Sequence, residues 1–302
     1  MLHGRMLRYL DEVVRSGSIR RAAVRLNVAS SAINRQILDL EAELGVPLFE
    51  RLPRRLRLTS AGEVLVAHVR RTLTDYRAIE SRLGELKGLH GGAVTLATMN
   101  GLAGGIAPAA IAAFSERFPR IRVTMRVMFV PEILRVLAEG EADLGLGYHL
   151  PDTPGLRVAL QHDGNLGAVV APDHPLAAAG RVRLAACAVY PLILADPSMR
   201  MHQTVRDALL RAHVSAEAAY LSNSIEFMKV LAGSGRGVAF LSRFDTVGEV
   251  RTGRLVFVPL AEEATLVNPL RLVHRTRETP GAAAELLADC LAEAFGAVGV
   301  ER

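Results

Sequence analysis

Four arginines, Arg51, Arg54, Arg55 and Arg57, fall within seven residues, and a short stretch upstream gathers Ser30, Ser31, Asn34 and Arg35. Arginine and asparagine can each make paired hydrogen bonds to a base edge, serine makes short adaptable ones, and clustered arginines neutralise phosphates without reading sequence. The chemistry in reach is recognition of a nucleic acid rather than bond making, and a solvated turn or helix face is the plain alternative for each group. Reactive residue types elsewhere are scattered. Cys187 and Cys290 lie far apart with no Cys-x-x-Cys or Cys/His spacing, which argues against a disulfide framework or a structural zinc site and predicts buried thiols. His149, His162 and His174 lack helical metal-binding spacing, and no nucleophile triad assembles from them. The glycine-rich run 233–237 follows an expected helix and precedes an expected strand, the reverse of a dinucleotide loop.

The charge sits where the arginines do. Residues 1–60 hold 11 Arg against 6 Asp plus Glu, whereas the remainder balances at 25 basic and 25 acidic, so the whole surplus of +5 belongs to the first fifth of the chain. That is the footprint of a small nucleic-acid-binding module attached to a neutral body. With 302 residues, half of them hydrophobic, two domains with sizeable cores are available. No run reaches the roughly 18 apolar residues a membrane span needs, and Met1 to Leu10 has no apolar signal core, so a cytoplasmic protein with no membrane partner is expected.

The elements that must position the arginines follow from periodicity. Leu2, Met6, Leu7, Leu10, Val13 and Val14 predict a first helix ended at Ser16-Gly17, and Ser18 can cap a second, running to Asn27, with Ala22 and Ala23 small enough for close helix contact. A third helix runs from about Ser30 to Glu43, with Ile33, Ile37, Leu40 and Leu44 forming one inward stripe and Ser30, Ser31, Asn34 and Arg35 at its outer, N-terminal end. Residues 48–59 alternate apolar and basic around Pro53 and predict a two-stranded wing.

The run Ser18-Ile19-Arg20-Arg21-Ala22-Ala23-Val24-Arg25-Leu26, then Ala32-Ile33-Asn34-Arg35-Gln36-Ile37, Leu40-Glu41, Leu44-Gly45, Leu48-Phe49-Glu50-Arg51 and Leu58-Thr59-Ser60-Ala61-Gly62 resembles the LysR-type transcriptional regulators. Roughly the first 65 residues match position by position, and the rest resembles the family in length and element order. Ser30 and Asn34 stand where the family more often has glutamine and serine, which bears on base preference and not on fold. The resemblance implies an all-α winged helix-turn-helix at 1–59, with Ser18 and Arg20 joining the third-helix and wing residues at DNA. It also implies an effector domain at 89–302 resembling type 2 periplasmic binding proteins, with a first subdomain at about 92–162 and 268–302 and a second at about 163–267. No cofactor is implied. The implied partners are double-stranded promoter DNA, a small-molecule co-inducer, further copies of the chain as a homodimer or tetramer, and RNA polymerase.

Between these parts, residues 60–88 predict a long helix opened by a Ser60/Glu63 capping box. Leu65, Val69, Tyr76, Ile79, Leu83 and Leu86, with Thr72 among them, fall into a heptad, and such a seam asks for a partner helix in a dimer. Gly88, Gly91 and Gly92 mark the domain boundary.

Beyond it, apolar runs alternate with helical segments, the mark of a parallel sheet with helices on both faces, α/β in class. The family resemblance implies two crossovers between subdomains, placed near 161–165 and 264–269. Ligands of open α/β sheets sit beyond the carboxyl ends of strands, which nominates Met99, Asn100, Gly101, Phe129, Pro131, Asp196, Ser198, Asn223 and Ser224. Each of the polar ones could instead be a helix cap or turn former. The expected function is sequence-specific DNA binding controlled by a small molecule; a solute-binding protein without gene control, and an α/β enzyme using Cys187 or a cleft residue, are the alternatives.

Overall fold

In the computed structural model of the chain, the described residues are 5–52, 55–86, 92–262, 266–276 and 281–300, and they fall into two compact units. The first unit contains α1 (Arg5–Ser16), α2 (Ile19–Leu26), α3 (Ser30–Leu44), the antiparallel pair β1 (Phe49–Leu52) and β2 (Arg55–Leu58), and the 27-residue α4 (Ser60–Leu86). Its core joins Tyr9, Leu10, Val13, Ala22, Ala23, Ile33, Ile37, Leu48, Phe49 and Val69. The α3 stripe is shorter than its spacing suggests. Ile33 and Ile37 are buried and Leu40 half-buried, whereas Leu44 is 46% exposed, because α3 outruns this small core before Gly45 ends it in a left-handed turn at φ 69°.

The start of α4 also differs from the expected Ser60/Glu63 box. Thr59 is the cap: its Oγ1 accepts from Gly62 N at 3.0 Å and donates to the Pro47 carbonyl at 2.7 Å, while its own N–H reaches Leu48 O at 3.0 Å. Threonine and serine are both capping types, and the wing's return to Pro47 and Leu48 selects the earlier one. Gly62 has no alternative here, since a Cβ would collide with the Leu48 carbonyl oxygen.

The second unit is two lobes, each on a five-stranded sheet. Lobe I carries β3 (Gly92–Thr98), α5 (Asn100–Gly104), α6 (Ile106–Arg117), β4 (Ile121–Val127), α7 (Val130–Ala138), β5 (Leu144–Tyr148) and β6 (Leu156–Asp163). The chain then crosses into lobe II through β7 (Leu166–Val170), α8 (Leu184–Cys187), β8 (Leu192–Ala195), α9 (Arg200–Arg211), β9 (Ala218–Ser222), α10 (Ile225–Gly233), β10 (Val238–Ser242), a 3-10 turn Arg243–Asp245, α11 (Val247–Arg251) and β11 (Val256–Val258). It returns to lobe I with β12 (Pro269–Arg275) and α12 (Ala282–Val300).

Strand order is β4-β3-β5-β12-β6 in lobe I and β11-β7-β10-β8-β9 in lobe II. Neither sheet is purely parallel, which alternation alone would suggest: β12 runs antiparallel to both neighbours, and so does β7. Each of these is the strand by which the chain enters a lobe from the other, which reverses its direction relative to the β-α-β strands. β5, β7, β8 and β10 are buried along their whole length, which is why they are nearly uninterrupted apolar runs. Besides the 3-10 turn, four elements escape sequence reading: the exposed edge strand β6 reads as the approach to a crossover, and α5, α8 and α11 are only 5, 4 and 5 residues long.

Candidate nucleic-acid interface and ligand cleft

In the N-terminal unit, α2 and α3 are placed by local signals. Ser18 caps α2 by accepting from Arg21 N at 3.5 Å, and Asn27, left-handed at φ 52°, ends it with its N–H on the Ala23 and Val24 carbonyls. Ala29 precedes α3 and has no side-chain cap to offer, so the first amides of α3 stay uncapped beside the exposed Ser30 and Ser31. Glu41 Oε1 fastens α3 to the wing by accepting from Leu48 N at 2.6 Å and Phe49 N at 3.1 Å. Arg20 and Arg35 are exposed and Asn34 is half-buried. Arg35 comes no nearer than 3.9 Å to Asp39, a surface pair too loose to hold it back from an anion. Arg57 is exposed and stands opposite Glu50 in the wing register; Arg51 stands opposite Leu56 and Arg55 opposite Leu52. Arg54 and the glycine-rich boundary at 88–91 lie outside the described residues.

The heptad on α4 is only partly a free seam. Val69 is 1% exposed within the unit's own core and Leu65 packs against the same core, because the first turns of α4 close the helical bundle. Tyr76 is half-buried, whereas Ile79 and, unforeseen by the heptad, Val64 present large apolar surface. Leu83 and Leu86 belong to the helix, but their side chains are not among those described.

In the second unit the two crossovers run side by side: Gly164 N donates to Asn268 O at 3.1 Å and Leu166 N to Leu266 O at 3.2 Å. Around them the lobes meet through a buried polar group. Tyr148, the last residue of β5, donates its hydroxyl to Asp245 Oδ1 at 2.9 Å, and Ser242 N donates to Asp245 Oδ2 at 3.2 Å. Lys229 is buried and holds Glu226 at 2.7 Å, Glu249 at 3.1 Å and the Asp245 carbonyl at 3.2 Å. Burial outweighs these hydrogen bonds and lifts the Asp245 carboxyl to about 7, and the Tyr148 hydroxyl rises with it.

The sequence candidates divide in this setting. Gly101 is buried against Asp245 and Ile225, where a side chain would not fit. Asp196 accepts from Ser198 N at 2.9 Å and is held below the usual carboxylate range by that bond, so it shapes a turn. Ser224 caps α10 by accepting from Phe227 N at 3.3 Å. Met99 lies against the Tyr148 amide, and Asn100, Phe129, Pro131, Ser198 and Asn223 are exposed.

Sequence reasoning passes over a second cluster. His149 sits at φ 51°, unusual for a residue with a Cβ, with its N–H on the Pro269 carbonyl at 2.8 Å and its ring near the Asn268 side chain. Burial, then the charge of Arg200, lowers the proton affinity of the ring. Among the described residues, His149 Nε2 and Asn268 Nδ2 are buried with no hydrogen bond of ordinary geometry to either. Arg200 is the exposed first residue of α9, a helix without a side-chain N-cap. The signal available is the position of Asn268 inside the expected crossover, which a search confined to strand ends does not reach. A cavity of about 1060 Å³ also lies between the lobes, lined by residues including His162, Arg181, Arg243, Phe257 and Val298, and none of the sequence candidates lines it.

Comparison with known proteins covers both units. Residues 5–63 match the model of the bacterial regulatory helix-turn-helix protein, lysR family, and residues 87–296 match the LysR substrate binding domain. A RuBisCO operon transcriptional regulator of Allochromatium vinosum is 27% identical over 252 residues, 83% of each chain. Among solved structures, a full-length OxyR variant from Pseudomonas aeruginosa superposes with a TM-score of 0.70 at 22% identity, covering 95% of this chain and 93% of that one. Full-length CbnR complexed with its target DNA gives 0.64 at 22% identity, covering 96% and 99%.

Proposed function

The chain belongs to the LysR family, a transcriptional regulator and not an enzyme, and on that footing we propose how its parts divide the work. The head, residues 1–59, places the N-terminal end of α3 in the major groove. Ser30, Ser31, Asn34 and Arg35 read base edges there, while Ser18, Arg20 and the wing arginines Arg51, Arg54, Arg55 and Arg57 hold phosphates. The observation that carries this reading is the uncapped, exposed start of α3, beside a wing on which Arg57 is exposed, in the one part of the chain with surplus positive charge.

Residues 60–88 join two copies, with Ile79 and Val64 offering the exposed apolar surface that Leu65 and Val69 do not. Residues 89–302 bind a small molecule between the lobes, which are linked by two crossovers, so a ligand touching both can shift the population of lobe arrangements and with it the spacing of paired heads. Assembly into tetramers, contact with RNA polymerase and a cytoplasmic location complete the proposal; no helix among the described residues is long and apolar enough to cross a membrane.

Crosslinking and sequencing of bound genomic fragments tests the DNA half. Discrete palindromic sites with half-sites about one helical turn, or a multiple of it, apart are expected, and no enrichment over background would sink it. Footprints taken with and without metabolites of the neighbouring genes test the switch: an unchanged footprint together with unchanged transcription would remove it.

A further inference from the structure

From the face that α4 leaves uncovered, we infer that His68 of one copy of the chain pairs with Asp75 of a second copy, and that this contact, made twice about a two-fold axis, sets the register in which two α4 helices meet. The inference rests on the reading of residues 60–88 as the segment that joins two copies. Val64 is 73% and Ile79 47% exposed, and His68, Arg71 and Asp75 between them are exposed as well. With the half-buried Thr72 these positions advance by threes and fours, and at about 100° per residue they share one arc of about 100°. Val69 and Leu73 lie outside that arc and pack into the unit's core.

The charges on this stripe are uncommitted. Among the described residues, neither Arg71 nor Asp75 has a hydrogen bond or an ion pair, and the His68 ring has the Thr72 hydroxyl near it at 3.5 Å. Large apolar side chains towards both ends, with polar groups of opposite sign between them, make a helix seam that specifies its partner by charge as well as by apolar cover.

The order of these residues makes the stripe its own complement. In a parallel two-fold pair each residue meets itself, which sets Asp75 against Asp75 and Arg71 against Arg71. In an antiparallel pair with the axis between Arg71 and Thr72, each position before the axis meets the one equally far beyond it. Val64 then covers Ile79, Arg71 meets Thr72, and the His68 imidazole N–H donates to the carboxylate of Asp75 on the other copy. Arg71 comes within a turn of that same carboxylate. A slip of one residue either way would set Asp75 opposite Ala67 or opposite Val69, which is buried in the core. The uncommitted charges therefore select both the orientation and the register.

The test uses the full chain, with sedimentation to count copies and a short bismaleimide to trap the seam. Cys187 and Cys290 are both buried, so thiols added on α4 carry the signal. Val64→Cys combined with Ile79→Cys should crosslink two copies, whereas each single variant should not. In that paired-cysteine chain, Asp75→Arg and His68→Asp should each lower the crosslinking yield at limiting concentration by about tenfold or more, the scale of two symmetric contacts replaced by two repulsions. Combining His68→Asp with Asp75→Arg restores opposite charges and should recover the yield. The melting temperature should stay unchanged throughout, since both sites are exposed.

Crosslinking in the single-cysteine variants would mean that like positions meet, and would overturn the antiparallel register. Crosslinking that the charge changes leave untouched, or that the combined change fails to restore, would overturn the pairing of His68 with Asp75. These results leave residues 60–88 as the joining segment. A chain that sediments as a dimer yet crosslinks in no cysteine variant would overturn that reading too, as would a chain that stays monomeric.

Discussion

The head and the two-lobed domain put their candidate residues in opposite environments. In the head, Ser30, Ser31, Arg35 and Arg57 are exposed side chains on a helix end and a wing, above a buried core. In the domain, Tyr148, Asp245 and Asn268 lie buried at the junction of the lobes, where each unpaired or protonated group has a large energetic consequence. Affinity for a polyanion can be assembled additively from exposed charges, whereas selectivity for one small molecule needs desolvated groups whose pairing is incomplete without it.

The contrast can be broken most severely from below. Ile33 is fully buried under the proposed recognition face, and Ile33→Ala should cost about 2–5 kcal/mol, abolishing DNA binding without removing any atom of that face. Retention of normal binding and melting would show that the head does not depend on its core. Next comes the pH dependence of the domain. Asp245 holds its proton to about 7 when folded, against 3.8 for the ordinary side chain, so the folded state binds more protons across that window and stability should fall as pH rises through it. Asp245→Asn should flatten this decline in thermal melts, and an identical pH profile in the variant would remove Asp245 as its source.

The division of labour on DNA is a smaller effect. Arg57→Ala should weaken binding to all sequences alike and lower the salt slope by about 1; Asn34→Ala should change preference among operators, costing about 1–3 kcal/mol at the affected base pair. If both variants changed affinity and slope in the same way, the separation of phosphate from base contacts would fail. Smallest is Ser18→Ala, which removes the α2 cap and should cost about 1 kcal/mol, read as a lowered melting temperature with operator preference intact.

How much can be read from sequence follows the same line. Ser18, Asn27, Ile33, Ile37 and the wing are readable because each depends on residues within a turn or two, and the capping error at Ser60 is a displacement by one residue between two capping types. The order of elements in the domain is readable too, since strands and helices announce themselves by period. Nothing local distinguishes Asn268 from any other loop asparagine. It meets His149, more than a hundred residues earlier, only because β12 inserts beside β5 and carries Pro269 onto the His149 amide. The direction of β7 and β12 is unreadable for the same reason, and the polar residues at strand ends prove easier to nominate than to use, Asp196 and Ser224 being consumed by their own turns.

That late strand also sets a timetable for the newborn chain. β12 occupies the gap between β5 and β6, yet it leaves the ribosome roughly a hundred residues after β6, a delay of about 5–20 s at ordinary rates of synthesis. Throughout that interval lobe II, whose five strands are consecutive, can close on itself while lobe I waits with two facing edges unfilled. A nascent chain whose residues up to about 260 have emerged, with β12 still enclosed, would therefore display one finished lobe and one open sheet, a form in which chaperones meet an unfilled sheet edge.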